Sequence, residues 1–275
     1  LARADGKPVV ALAAIFQHSP LVLAMRRKDG TPTARDLVGK QVMIEPFADE
    51  LYAYLGREGV MREQMQLVPH DFDVRSLIEG KVDAMSIYAS NEADALNRAD
   101  FDYQVLSPAA AGIDFYSDVL FTSERELRDH PDRVRRFRAA SLRGWKYAMN
   151  HPDEMIDLIL SHYPGSGSRE HLAFEANALK ALIRPELIEP GHMNPGRWQD
   201  IVSVYARAGA LQKDFSLEGF LYTPEPDADL DRLYFLLGIA FVSISIVGAL
   251  ALYIHTINRR LKRTVADLES ARRAL

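Results

Sequence analysis

Pro8-Val9-Val10-Ala11-Leu12-Ala13-Ala14-Ile15-Phe16 places eight apolar residues in a row behind a proline. No polar position interrupts the run, so a strand built from it meets water on neither face; such runs belong to strands buried on both sides. Leu21 to Met25 is a second run of the same kind. Beyond them the chain alternates. Thr33 caps a short helix over 34–38, before Gly39 and Lys40. Residues 41–45 read as a strand; 49–58 read as a helix, with Leu51, Tyr54 and Leu55 on one face and Gly59 as its stop. A strand at 65–68, a helix at 73–79 ended by Gly80, a strand at 82–88 and a helix at 92–98 follow. Strands at 103–106 and 115–121 complete this half. Strands alternating with helices of about ten residues predict a parallel, doubly wound sheet.

From residue 123 to 210 the pattern becomes helical, with segments at 131–150, 152–161, 168–182 and 195–208, the last stopped by Gly209. Prolines stand in the first turn of several, where the missing N–H costs nothing. An α/β half followed by a helical half predicts a two-lobed binding protein rather than one symmetric enzyme domain.

The chain has 275 residues, 48% apolar and 26% charged, which suits one or two folded domains and excludes wholesale disorder. It carries 33 basic and 38 acidic residues, a net charge of −5, so no nucleic-acid partner is expected. Cysteine is absent, which removes disulfides, thiolate metal sites and cysteine nucleophiles together. The charge is uneven: residues 255–275 hold six basic and two acidic residues.

That basic tail follows an apolar stretch. Leu233 to Ile254 contains no charge and no proline, and as a helix it is about 33 Å long, enough to span a bilayer core. Tyr234 and Tyr253 mark its two ends. Asp227, Asp229 and Asp231 precede it; Arg259, Arg260, Lys262 and Arg263 follow. Basic flanks stay cytoplasmic, so residues 1–232 are expected outside a cytoplasmic (inner) membrane crossed once, and 255–275 inside. A large outside domain needs an export signal, none is visible before Leu1, and the helical pattern is still running at Leu275; both ends are expected to be cut. Ile254, Ile257, Leu261, Thr264, Leu268, Ala271 and Leu275 keep a heptad spacing, which predicts a coiled-coil start and a homodimer through the cytoplasmic helix.

Several stretches resemble the substrate-binding proteins for thiamine pyrimidine precursors. They are Gly6 to Pro20, Asp36-Leu37-Val38-Gly39-Lys40, Gly80-Lys81-Val82-Asp83-Ala84, Ser90-Asn91-Glu92 and Gly112-Ile113-Asp114-Phe115-Tyr116-Ser117-Asp118. His130-Pro131 through Phe137, Gly144-Trp145, Tyr147-Ala148, Met193-Asn194-Pro195 and Arg197-Trp198-Gln199 continue the likeness, which covers about residues 5–222. Joined to a C-terminal span, the pattern resembles the sensor regions of bacterial receptors that continue into a diguanylate cyclase or histidine kinase. The resemblance implies a type II periplasmic-binding-protein fold, two α/β lobes around a cleft. The family's N-terminal part, which builds most of lobe I, is expected to be missing here. The family also includes a fungal pyrimidine synthase with a cysteine-rich iron site, a role that a cysteine-free chain is not expected to fill.

Ligands of open α/β sheets bind beyond the carboxyl ends of strands. That rule selects Gln17, His18 and Ser19 after the first run, the stretch from Glu45 to Glu50, then Tyr88, Asn91 and Glu92, with Tyr116 and Asp118 in the return crossing. A heteroaromatic amine needs a flat wall and acceptors. Tyr88 and Tyr116 can stack, Glu45, Glu92 and Asp118 can accept, and Asn91 can do either. The resemblance bears most directly on Asn91 and Glu92. Plainer readings stand beside these: Asn91 and Glu92 as a helix cap and a first-turn acid, Glu45 as a strand end, Tyr116 as core, His18 as a loop or core histidine.

No catalytic residue, metal or cofactor is expected. His151, His162 and His171 lack paired metal spacing, and Gly165-Ser166-Gly167-Ser168 reads as a linker. Arg133, Arg135, Arg136 and Arg138 read as a solvated helix face. The expected organisation is a substrate-binding-like sensor domain at 1–222 (lobe II about 33–105, the helical part of lobe I about 123–222), a linker at 223–232, the span at 233–254 and a signalling helix at 255–275. The expected role is binding of a small pyrimidine-like or amine-bearing metabolite, with signalling to a C-terminal output domain. The alternatives are a membrane-tethered binding component of an ABC transporter and a thiamine-pyrimidine biosynthesis protein.

Overall fold

The first apolar run forms β1 (Val9–Phe16), and Val10 to Phe16 are at most 7% exposed. This computed structural model describes the backbone over residues 1–224 and 229–273, and side chains over 1–224 and 234–263. The chain divides into residues 1–223 and residues 224–275.

β1 pairs antiparallel with β7 (Ser117–Ser123) in a two-stranded sheet. Single bridges meet its other edge, Ala11 with Leu221 and Ala14 with Gly191. The approach at Gly191 needs glycine: φ is 86°, and a Cβ there would lie 2.7 Å from Leu142 and 3.1 Å from the Ala13 methyl.

The second run forms β2 (Leu21–Arg26) of a five-stranded sheet in the order β4-β3-β5-β2-β6. Its other members are β3 (Gln41–Met43), β4 (Gln66–Val68), β5 (Ala84–Tyr88) and β6 (Tyr103–Leu106). β3 runs parallel to β4 and β5, but β2 runs antiparallel to β5 and β6. The expectation of a wholly parallel sheet is therefore corrected to a mixed one. Alternate residues of β2 serve opposite faces, as the two-residue strand period requires. Leu21, Leu23 and Met25 pack with Leu51, Tyr54 and Leu55 of α1 (Asp49–Arg57). Val22 and Ala24 pack with Leu77 of α2 (Arg75–Ile78) and with Ala93 and Leu96 of α3 (Glu92–Arg98). Helices thus cover both faces.

The helical half comprises α4 (Glu124–Asp129), α5 (Pro131–Asn150), α6 (Pro152–His162), α7 (Arg169–Ile183) and α8 (Pro195–Arg207). Pro131, Pro152 and Pro195 open their helices, and Ser123, Ser168 and Asn194 cap free N–H groups through their side chains. Helices α5 and α7 cover β1: Ala13, Ile15 and Phe16 pack with Leu142, Trp145, Met149, Leu179 and Ile183. The arginine run is not wholly a solvated face. Arg133 and Arg135 make exposed ion pairs, but half-buried Arg138 donates to the Leu12 carbonyl at 2.8 Å and ties α5 to β1. Two segments join the sheets, residues 17–20 and 107–116.

In the second unit, α9 (Asp229–Arg273) is one continuous helix of 45 residues, about 68 Å long. It begins inside the stretch expected to be a linker, of which residues 225–228 lie outside the described residues. The segment Tyr234–Arg263 is long and apolar enough to cross a membrane. Of the predicted seam, Ile254, Ile257 and Leu261 are exposed; the side chains of Thr264, Leu268, Ala271 and Leu275 lie outside the described residues.

Candidate ligand-binding site

Because β3, β4 and β5 are parallel, their carboxyl ends share one edge of the sheet. β2 runs the other way, so its start joins that edge, with Leu21 paired to Tyr88. Ser19, Glu45, His70 and Tyr88 are thereby gathered from four strand ends, and the first turn of α1 adds Glu50.

The contacts are specific. The Ser19 hydroxyl donates to Glu50 Oε1 and accepts the Leu21 N–H at 3.2 Å. Glu50 is 7% exposed, and its second oxygen, Oε2, has no hydrogen-bond partner. Burial pushes its carboxyl up to about 7, against the Ser19 hydrogen bond and with help from Asp114 and Glu45. Burial also raises Glu45, which His70 and Tyr88 pull down and Glu92 pushes up. The Tyr88 phenol is pushed up to about 12, by burial first and then by Glu45, Asp118 and Glu50. Burial raises Asp118, which sits in β7 at φ 50°. Ser19 thus bonds to Glu50, Glu50 interacts with Glu45, and Tyr88 feels Glu45, Glu50 and Asp118. His70 braces the edge: its Nε2 meets the Ser86 carbonyl at 3.0 Å, and its Nδ1 accepts the Phe72 N–H at 3.0 Å. Two aromatic rings flank it on strand-end loops, Phe47 at 95% exposure and Phe72 at 64%, both with positive φ.

The other residues predicted from sequence are bonded into the frame. Gln17 is buried and its amide donates to the carbonyls of Ala14 at 3.4 Å and His192 at 3.1 Å. The Asn91 amide donates to Glu175 of α7. Glu92 accepts the Tyr88 N–H at 2.9 Å. The buried Tyr116 hydroxyl accepts the Asn194 N–H at 3.0 Å, its ring lying under Arg197 and beside Trp198. His18 pairs with Asp114 at 2.7 Å, and Arg197 holds the same carboxylate oxygen at 3.0 Å; the other oxygen, Oδ1, is buried and has no partner.

Sequence reasoning selected the stretch from Glu45 to Glu50 without giving Phe47 or Glu50 a role of its own, and did not select His70, Asp114 or Phe72 for the site. Glu50 looks like any acid in a helix first turn, where the dipole favours it. Phe47 looks like an ordinary apolar residue, and nothing in its type announces exposure.

Cavities lie elsewhere in this unit. One of about 260 Å³, almost wholly apolar, is lined by Val9 of β1, Phe121 of β7, Trp198 of α8 and, beyond α8, Phe220. Another, of about 570 Å³, is lined by Asp49, Tyr52, Arg57, Arg62 and Tyr205. Among the described residues no group of three or more His, Asp or Glu could hold a metal.

Residues 1–155 match the family described as NMT1/THI5 like. A formylaminopyrimidine-binding protein of Halalkalibacterium halodurans is 25% identical over 218 residues, which cover 74% of this chain and 64% of that protein. The riboflavin-binding protein RibY of Chloroflexus aurantiacus is 28% identical over 169 residues, 60% of this chain and 48% of that one. The chain thus spans less than two thirds of the length of either relative. The periplasmic aliphatic sulphonate binding protein SsuA of Escherichia coli superposes with a TM-score of 0.55 at 13% identity, over 82% of this chain and 72% of that one. At such identity the likeness speaks for the fold alone, a periplasmic-binding-protein fold. With the family match covering more than half of its length, the chain belongs to the NMT1/THI5-like family.

Proposed function

We propose that this chain is the ligand-binding sensor region of a membrane-anchored bacterial signalling receptor. Residues 1–222 lie outside the cytoplasmic membrane and bind a small pyrimidine-like or amine-bearing metabolite. Residues 233–254 cross the membrane once, and 255–275 begin a cytoplasmic helix leading to an output domain. The observation that carries the binding reading is the proximity of Tyr88, at the end of β5, to Glu45, Glu50 and Asp118, with Ser19 bonded to Glu50. Carboxylates accept from amino groups, and a tyrosine ring offers a flat face to a heteroaromatic one. The formylaminopyrimidine-binding relative supports that ligand class.

The membrane reading draws support from α9. Its Ser243 and Ser245 hydroxyls donate to helix carbonyls four residues back, at 2.9 and 2.8 Å, which satisfies them where no water is present. A second reading, a tethered donor for a transporter, would use the same cleft, and the relatives named for binding a small molecule are compatible with either. The unbroken run of α9 from an apolar stretch into Arg259, Arg260, Lys262 and Arg263 favours signalling. Calorimetry on the micelle-solubilised chain with 4-aminopyrimidine tests the binding reading. Tyr88→Ala and Asp118→Ala should each weaken binding by about tenfold or more, the cost of an unpaired donor or a lost stacking face. Binding indifferent to both substitutions removes the site.

A further inference from the structure

We propose that Ser19 and Glu50 form a charge-selecting floor of this cleft, with Glu50 Oε2 accepting an N–H from a cationic amine or amidine group of the ligand. The inference rests on the cleft reading above and adds a residue and a ligand charge to it. Glu50 is 93% buried by its 7% exposure, yet one carboxylate oxygen has no partner. A buried acceptor left unpaired costs free energy, and a ligand donor placed there recovers it. Ser19 uses its hydroxyl hydrogen on Oε1 and fixes the carboxyl group, so that Oε2 is the oxygen left to offer.

The surroundings decide the charge. Ser19 comes from the link between β1 and β2, Glu45 from the end of β3, Tyr88 from the end of β5, Asp114 from the return crossing and Tyr205 from α8; each is in hydrogen-bond or electrostatic contact with Glu50. None of these five is basic. Of the basic side chains in this network, His18 and Arg197 are already paired with Asp114, and His70 lies beside Glu45. A cation meets three carboxyl groups here, Glu45, Glu50 and Asp114, which favour it over an anion such as a sulfonate.

A proton balance follows. Burial holds Glu50 near a mid-point of about 7, so the empty cleft carries it largely as the neutral acid below neutrality. When an amidinium group docks, the O–H bond of Glu50 breaks and its proton passes to solvent. The resulting carboxylate accepts the ligand N–H, and the ligand keeps its own proton. Binding of a cation is thus coupled to proton release.

Calorimetry of the full chain in micelles, at pH 6 in two buffers of different ionisation enthalpy, reads both effects with benzamidine and benzenesulfonate as probes. Benzamidine should bind with release of about one proton. Benzenesulfonate should not bind. Glu50→Gln, nearly the same shape, should abolish the proton release and weaken benzamidine by about tenfold or more. A far-ultraviolet melt of the variant reports that it folds. If Glu50→Gln changes neither affinity nor proton count while Tyr88→Ala and Asp118→Ala weaken benzamidine, this inference falls and the cleft reading stands. If none of the three substitutions matters, or neither probe binds, both fall. Binding selective for benzenesulfonate also overturns it. A carbon-13 titration of the Glu50 carboxyl in the empty chain gives a ligand-free check: a mid-point near 7 supports the proposal, and one near 4.5 contradicts it.

Discussion

Glu50 lies in the first turn of α1, where free backbone N–H groups favour a carboxylate, yet burial outweighs them and holds the group near 7 instead of 4.5. Between those values the folded chain binds more protons than the unfolded chain does. Stability therefore falls as pH rises from about 4.5 to about 7 and is level beyond, a loss of about 3 kcal/mol at most. We predict that Glu50→Gln, which cannot ionise, is more stable than the parent at pH 8 and that the gap closes towards pH 4.5; denaturant midpoints at both pH values measure it. An unchanged gap counts against a buried, protonated Glu50. Phe47 carries strain of another kind, an aromatic side chain at φ 67° with 95% exposure. Phe47→Gly should raise stability by about 0.5–1 kcal/mol, since glycine accepts that backbone, while Phe47→Ala should not. If the ring closes over the ligand, both variants bind more weakly; melting temperature and affinity separate the two effects. At this scale the sequence was legible only in part. Ser19, Glu45 and Tyr88 were selected because strand ends mark clefts, and Asp118 because it lies in the return crossing. Glu50 fell inside a selected stretch, but its unpaired oxygen was not legible, because that is a property of neighbours far apart in the chain.

Helices α3 and α7 meet through a polar contact that links the five-stranded half to the helices over β1. Asp94 accepts from His171 at 2.8 Å and from Arg98 at 2.9 Å; Arg98 donates to the α7 cap Ser168 at 3.2 Å; Asn91 donates to Glu175. Burial works to raise Asp94, but the hydrogen bonds from His171 and Arg98 outweigh it and leave the carboxyl below its ordinary value of 3.8. The contribution is thus present above about pH 4 and is lost as pH falls through the lowered value. We predict that Asp94→Ala costs about 1–3 kcal/mol, because His171 and Arg98 lose a largely buried acceptor, and that the difference from the parent shrinks at pH 3. A constant difference across that range sinks the ionic account. The elements themselves were well legible. Helix bounds at 92–98 and 131–150 agree with the residue pattern, because caps, first-turn prolines and stopping glycines act locally. Strand direction was not legible: β2 is as apolar as a central parallel strand, and burial on both faces says nothing about which way its neighbours run.

For the whole molecule, α9 is expected to cross the membrane once and to pair with a second copy beyond it. Its basic flank should be cytoplasmic, so a reporter active only in the cytoplasm should work when fused after Arg263, and one active only outside should stay silent there. Past the apolar stretch, Ile254, Ile257, Leu261, Thr264, Leu268, Ala271 and Leu275 form a seam of alternating three- and four-residue steps. Arg259 and Lys262 fall on the opposite side of that wheel. The chain has no cysteine, so single cysteines introduced into it report pairing without background. In membranes, Ile257→Cys, Leu261→Cys and Leu268→Cys should form disulfide-linked dimers, and Arg259→Cys and Lys262→Cys should not. Phase gives the stronger test. One residue inserted after Leu261 turns everything beyond it by about 100°, so the Leu268→Cys cross-link should be lost while that at Ile257→Cys remains. Seven inserted residues leave a mismatch of only about 20°, which supercoiling absorbs, and the Leu268→Cys cross-link should return. A flexible tether predicts equal cross-linking in both insertions, and that result would remove the route by which closure of the cleft could be passed on as a rotation of paired helices.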